Sequence, residues 1–275
     1  MGYKTTGAGP AVVLLHSSLS SSSQWLDLVK LLKDHFFCIN IDLLGYGDAP
    51  QVNDPNNYTL NTETQRITQI ITAEIGDADF ILVGHSFGGA VALLLAKQLA
   101  KLMGQRVSAM VLYEPVAFHL LGKGGEAYDE IMAVTGALQD KTATEAARVF
   151  VDYWNYTGFF DALPGKVQRS FAAKMDKVML DFKGLIGQTY TLTNSTLTNS
   201  TLSNRTLPDC DLAHCKTFVI EGRTSRLSAK TLVRQIAAQL PDVEHLVFDG
   251  GHMAPVSQSK DVAQVMAGLI LKVKS

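Results

Sequence analysis

Cysteine is scarce. Cys38, Cys210 and Cys215 are the only three in 275 residues, an odd number that cannot pair completely within one chain. His214 beside Cys215 adds a single further ligand type, and two ligands do not make a zinc site. No metal and no cofactor is expected. Charge of one sign is missing too: 24 Lys and Arg against 26 Asp and Glu leave −2. No basic stripe interleaved with aromatics runs along the chain, so nucleic acid is not an expected partner. No apolar run reaches the roughly 20 residues of a membrane span. Nor does the chain open on the charged and apolar blocks of a signal peptide. Met1-Gly2-Tyr3-Lys4-Thr5-Thr6 fits the loose myristoylation pattern, which a chance glycine at position two suffices to produce. The address expected is cytoplasmic, with no membrane partner. The sequons at Asn57, Asn155, Asn194, Asn199 and Asn204 are accordingly expected to stay bare.

What is present is an alternation of strand and helix patterns. Ala11–Leu15 is a continuous apolar run, as befits a strand buried on both faces. Phe36–Ile41, Asp79–Val83, Val107–Tyr113, Lys216–Ile220 and Glu244–Phe248 read as further strands. Helical periods fall between them, over Ser23–Lys33, Thr62–Ile75, Val91–Leu102 and Ala229–Leu240, and a terminal helix over Asp261–Val273. Such alternation implies an α/β fold, a mostly parallel central sheet with helices on both faces. From 117 to 190 the strands disappear and three helices are expected, Ala127–Leu138, Thr144–Tyr156 and Val167–Ile186. This block reads as an inserted helical cap, with a core formed by 1–116 and 211–275. Residues 191–210 repeat the unit Thr-Leu-Thr-Asn-Ser, too few copies for a solenoid, and read as a polar linker. Only one short strand precedes Ala11, which leaves an edge through which a dimer is possible; the oligomeric state stays open.

The chemistry concentrates at Gly84-His85-Ser86-Phe87-Gly88. A strand runs into it and a helix leaves it, the context in which G-x-S-x-G forms a nucleophile elbow. The helix directs free N–H groups and its positive end at the serine. A serine nucleophile needs a base, an acid to orient the base, and donors for the oxyanion. Of seven histidines, His252 alone follows a strand near the C-terminus, on the glycine-flanked loop Gly251-His252-Met253. His85 within the elbow reads as a packing residue.

With the chain order serine, acid, histidine, these motifs resemble the α/β-hydrolase fold superfamily over nearly the whole chain, in its serine-nucleophile, cap-containing form. Leu14-Leu15-His16 is similar to its oxyanion-loop histidine motif, and Asp42-Leu43-Leu44-Gly45-Tyr46-Gly47 to its turn after the next strand. The resemblance implies an oxyanion hole from the backbone N–H of Phe87 and of a residue after His16. A glycine usually follows that histidine in the superfamily; here Ser17 follows it, and Ser18 is the candidate donor, with Leu19 as the alternative.

The acid departs from the pattern. Most of the superfamily carries an aspartate where this chain has Ser225, and no carboxylate lies between Glu221 and Pro241. Glu114 stands at the end of the preceding strand, and adjacent parallel strands end side by side. A carboxylate there can reach the same imidazole, as in the superfamily's haloalkane dehalogenases, which place their acid after that strand. Asp249, on the histidine's own loop, is the other candidate.

The expected activity is that of a serine hydrolase, a carboxylesterase-like enzyme, cleaving a small, largely apolar ester or thioester through an acyl-enzyme. Ser86 is nucleophile, His252 base and Glu114 acid. His16, Phe118, His119, Trp154 and Met253 are candidate pocket residues, and Tyr153, Tyr156, Phe159 and Phe160 add to the aromatic stock of the cap. The alternatives are a hydrolase-fold ligand receptor or scaffold with weak turnover, and a C–C bond hydrolase, lactonase or perhydrolase. Aspartate-nucleophile dehalogenases and epoxide hydrolases are disfavoured by Ser86.

Overall fold

A computed structural model describes residues 2–103, 106–192, 212 and 215–274. Among these, seven strands form one sheet in the order β1-β3-β2-β4-β5-β6-β7. They are β1 (Tyr3–Thr6), β2 (Ala11–Leu15), β3 (Phe37–Ile41), β4 (Phe80–His85), β5 (Val107–Tyr113), β6 (Lys216–Gly222) and β7 (Val243–Phe248). Only β1 is antiparallel to its neighbour, Tyr3 opposite Ile41. β2, whose five residues are all buried, needs both faces covered. One face packs on α1 (Leu26–Leu32) and the last helix (Ser259–Lys274) through Val12, Leu14, Leu28, Leu32 and Met266. The other carries α2 (Leu60–Ile75), α3 (Phe87–Met103) and α9 (Leu227–Gln239), with Val13, Leu15, Ile67, Leu93 and Leu232 in one core.

The chain between β5 and β6 is helical: α4 (Glu126–Ala137), α5 (Ala143–Trp154), α6 (Phe159–Ala162), α7 (Gly165–Ala172) and α8 (Met175–Ile186). α5 starts on a reciprocal cap in which Thr142 and Glu145 satisfy each other's backbone N–H groups. The single helix expected over Val167–Ile186 is two, because the backbone leaves the helical region at Lys174, with φ −109° and ψ 3°. α8 packs a buried face of Val178, Phe182 and Leu185, and this face also carries Lys177 and Asp181. Gly184 lets it approach α2: a Cβ there would sit 3.2 Å from the Leu60 side chain. The repeat expected to act as a linker lies, from 193 onward, outside the described residues, as do Cys210 and His214. Among the described residues no helix is long and apolar enough to cross a membrane, and no cluster of His, Cys, Asp and Glu could hold a metal.

Sheet register positions the chemistry. His85 of β4 lies opposite Tyr113 of β5, and Tyr113 opposite Ile220 of β6. The next residues, Ser86 and Glu114, therefore leave neighbouring strands at the same level. β6 and β7 stay paired as far as Gly222 and Phe248, which brings the loop bearing His252 to the same edge.

Candidate active site

Ser86 stands between β4 and α3 with φ +54°, a left-handed conformation that costs a non-glycine residue roughly 1–3 kcal/mol. The surroundings enforce it. A Cβ on Gly84 would lie 2.7 Å from the Gly89 Cα, and one on Gly88 2.4 Å from the His16 carbonyl. The Ser86 N–H donates to Tyr113 O, and its carbonyl accepts from Ala90 and Val116. Phe87 is the first residue of α3, so its N–H has no partner within the helix.

His252 Nε2 lies 2.9 Å from Ser86 Oγ, and its Nδ1 lies 2.7 Å from Glu114 Oε2. Glu114 also has a positive φ, +40°. Its other oxygen accepts from the Gly222 N–H at 2.6 Å, and its own N–H extends the ladder to Ile220 O. Both Glu114 and His252 are buried. The acceptor-only carboxylate fixes a proton on Nδ1 and leaves Nε2 free to accept from the serine. Asp249, the competing candidate, is 87% exposed and pairs with Arg223 at 3.3 Å; it does not reach the imidazole. His252 is further held from two sides. Trp154, the last residue of α5, stacks on its ring with centroids 3.9 Å apart and planes 27° apart. His85 Nε2 donates to the His252 carbonyl at 2.9 Å, so the elbow histidine read as packing braces the backbone of its partner.

A cavity of about 200 Å³ opens on Ser86 and His252. Leu19, Phe150, Trp154, Phe159, Phe171 and Met253 are among the apolar residues of its wall, and no Asp, Glu, Lys or Arg lines it. Of the expected pocket residues, Trp154 and Met253 are there. Phe118 and His119 line a different cavity, beside Tyr128 and Ile131, that contains neither Ser86 nor His252. The short helical turn Phe118–Leu120 follows β5 toward α4, which carries the pair off to that other side. His16 is likewise not in the wall. It is buried, donates from Nδ1 to Ser17 O at 2.7 Å and accepts the Leu43 N–H on Nε2 at 3.0 Å. Burial lowers its pKa to about 4, so it is a neutral brace between the loops after β2 and β3.

The loop after His16 sorts its donors. The Ser17 N–H is taken by Gln24 Oε1 at 3.1 Å. Ser18 lines the cavity beside Ser86, and among the described residues no acceptor takes its N–H. Its hydroxyl donates to Asp181 Oδ2 of α8 at 2.6 Å. Leu19 follows with φ +59°. Phe150, Phe171 and Asp181 were not singled out by sequence reasoning, and helical periodicity alone does not distinguish such wall residues from core.

Residues 12–265 match the model of the alpha/beta hydrolase family. Among curated proteins, a probable lysophospholipase, BODYGUARD 1 of Arabidopsis thaliana, is 36% identical over 90 residues, 31% of this chain and 19% of that protein. The pimeloyl-[acyl-carrier protein] methyl ester esterase of Pseudoalteromonas atlantica is 33% identical over 89 residues, 32% of each chain. The similarity thus spans about a fifth and a third of these two relatives. Among solved structures, a thermophilic esterase from Thermogutta terrifontis superposes over 99% of this chain and 93% of its own, with a TM-score of 0.71 at 19% identity, a likeness of fold. Since the family match spans nearly all of the sequence, and the sheet and elbow take the form the family requires, the chain belongs to the alpha/beta hydrolase family.

Proposed function

We propose that this protein is a serine hydrolase that cleaves a small, neutral, largely apolar carboxylic ester or thioester through an acyl-enzyme. The observation that carries the reading is the unbroken chain of hydrogen bonds Ser86–His252–Glu114 opening on a cavity without charged side chains. In this scheme Ser86 Oγ attacks the acyl carbon as His252 Nε2 takes its proton. Glu114 stabilises the imidazolium and keeps it in the tautomer that can accept. The N–H groups of Phe87 and Ser18 hold the oxyanion. His252 then returns the proton to the leaving oxygen or sulfur, and a water, activated by the same imidazole, releases the acid and regenerates Ser86. The helices α4–α8 act as the cap that walls the pocket.

Size and polarity narrow the substrate. The cavity falls below the roughly 300–1,000 Å³ of drug-sized sites, which favours a short acyl group. A carboxylate-bearing substrate would lie in this wall as an unpaired buried charge, which weighs against C–C bond hydrolysis or lactonase action on acidic substrates. Esterase names among the relatives agree with this reading. The intact proton path supports turnover over a receptor or scaffold role.

A fluorophosphonate, with the adduct located by mass spectrometry, tests the reading. Stoichiometric labelling of Ser86, abolished in Ser86→Ala, is expected, with p-nitrophenyl esters of short neutral acids preferred over long or anionic ones. Folded protein that takes no label and turns over none of these esters would refute it.

A further inference from the structure

α8 carries a buried ionic cluster for which the scheme above has no use. Lys177 Nζ reaches Asp181 Oδ1 one turn along the same helix, Glu63 Oε1 of α2 at 3.2 Å and the Tyr58 hydroxyl at 3.2 Å. Three acceptors use all three ammonium protons. Glu63 in turn accepts from Tyr58 at 2.9 Å and from the Leu44 N–H at 3.1 Å. Asp181 Oδ2 accepts two hydroxyls, from Tyr46 at 2.6 Å and from Ser18 at 2.6 Å. Lys177 Nζ also lies 4.7 Å from the centre of the Phe87 ring. The cluster thus touches both residues whose N–H groups face the proposed oxyanion.

Charges buried this deeply are costly, and an apolar replacement of equal volume is often as stable; core packing alone does not require them. Asp181 makes one bond that packing would not need. It holds the side chain of Ser18, 163 residues away, in the loop where a serine occupies the place next to a Ser17 whose own N–H is occupied. That loop then turns at Leu19 through a left-handed conformation, which needs outside support to persist.

We propose that Asp181 is a positioning residue: by accepting the Ser18 hydroxyl it fixes the loop so that the Ser18 N–H meets the oxyanion, with Lys177 and Tyr46 holding the carboxylate in place. The cap helix α8 thereby completes the transition-state site. The inference rests on the serine-hydrolase reading.

The test is a double-mutant cycle of Ser18→Ala and Asp181→Asn, with kcat and KM on a short-chain p-nitrophenyl ester and melting temperature for each protein. Deleting an oxyanion donor outright costs about 10²–10³ in kcat; a donor merely set loose is expected to cost about tenfold, with KM little changed. Each single variant should show that loss, and the double variant should be no worse than the poorer single one, as for residues acting through one contact. Ser18→Thr, which keeps the hydroxyl, should restore most of kcat. Ser18→Ala removes no charge, so it carries the test even if Asp181→Asn fails to fold. Wild-type kcat in Ser18→Ala, a loss confined to KM, or additive losses in the cycle would overturn the proposal while leaving the hydrolase reading intact. A wild-type protein that neither labels at Ser86 nor turns over would overturn both.

Discussion

β5 and β6 run side by side in register, yet their ends place a carboxylate very differently. The β5 end turns through a positive φ at Glu114, which is fully buried and bonded to His252 and to the Gly222 N–H. On β6 the neighbouring carboxylate, Glu221, is engaged by Arg234 at 2.8 Å and by His245 at 3.2 Å. The loop beyond β6 offers only Ser225, whose hydroxyl is buried with no hydrogen-bond partner among the described residues. Among the described residues the carboxylate that reaches the imidazole Nδ1 is thus the one at the β5 end.

Breaking the proton path at its source should have the largest effect. Ser86→Ala is expected to lower kcat by about 10⁶, the scale at which a nucleophile and its base fail together. Residual turnover above about one per cent of wild type would show that the serine served by these strand ends is not the nucleophile. Glu114→Gln keeps the shape but offers His252 an amide in place of the charge. A loss of about 10⁴ is expected, and a loss under tenfold would remove Glu114 from the relay. Glu221→Gln, one strand over, should stay within a factor of two of wild type, because among the described residues its carboxylate is engaged by Arg234 and His245 and makes no contact with His252 that matches Glu114's.

Moving the acid to the other strand end tests its reach directly. In Glu114→Ala/Ser225→Asp the carboxylate shifts to the loop after β6, beside Gly222, where a buried hydroxyl now sits unpartnered. A recovery of about tenfold or more over Glu114→Ala is expected, since a triad acid contributes ~10⁴ and a partial alignment retains part of it. No recovery in a well-folded double variant would mean that the backbone of this loop has diverged too far to serve.

The elbow was legible because it is local: a strand, a glycine-flanked serine and a helix within about twenty residues. That His252 and Glu114 meet at one sheet edge was reachable from strand order, since residues that end neighbouring strands lie side by side. The boundaries of β2, β5 and β7 moved by one residue or not at all for the same reason. What the sequence did not disclose depends on contacts between distant segments. Ser18 and Asp181 are 163 residues apart, and nothing in the pattern of α8 marks its buried Lys177 and Asp181 as partners of two loops. Phe118 and His119 were misplaced because aromatic spacing in a helical insertion says which residues are buried, and not against which cavity. His16, expected in the pocket, is kept out of its wall because both ring nitrogens are engaged, by Ser17 O and by the Leu43 N–H.

His16 extends the contrast from strand ends to the imidazoles they hold. His252 has a carboxylate on Nδ1, whereas His16 has a carbonyl there and a backbone N–H on Nε2. The second arrangement suits only the neutral ring, and burial lowers the pKa of His16 to about 4 against an unfolded value near 6.5. Between those two values the unfolded chain binds the extra proton and the folded chain does not, so stability falls as the pH drops from about 6.5 to about 4. Above that window the contribution of the neutral ring is fully present. A displacement of this size corresponds to about 3 kcal/mol, and burial displaces His119 and His85 in the same direction. Urea unfolding at a series of pH values should show the decline, and nitrogen-15 spectra of histidine-labelled protein should show His16 protonated on Nδ1 alone down to about pH 4. A His16 that gains its second proton near pH 6.5 would mean that the loops after β2 and β3 are not braced as described, and the seat of the Ser18 donor would have to be drawn again.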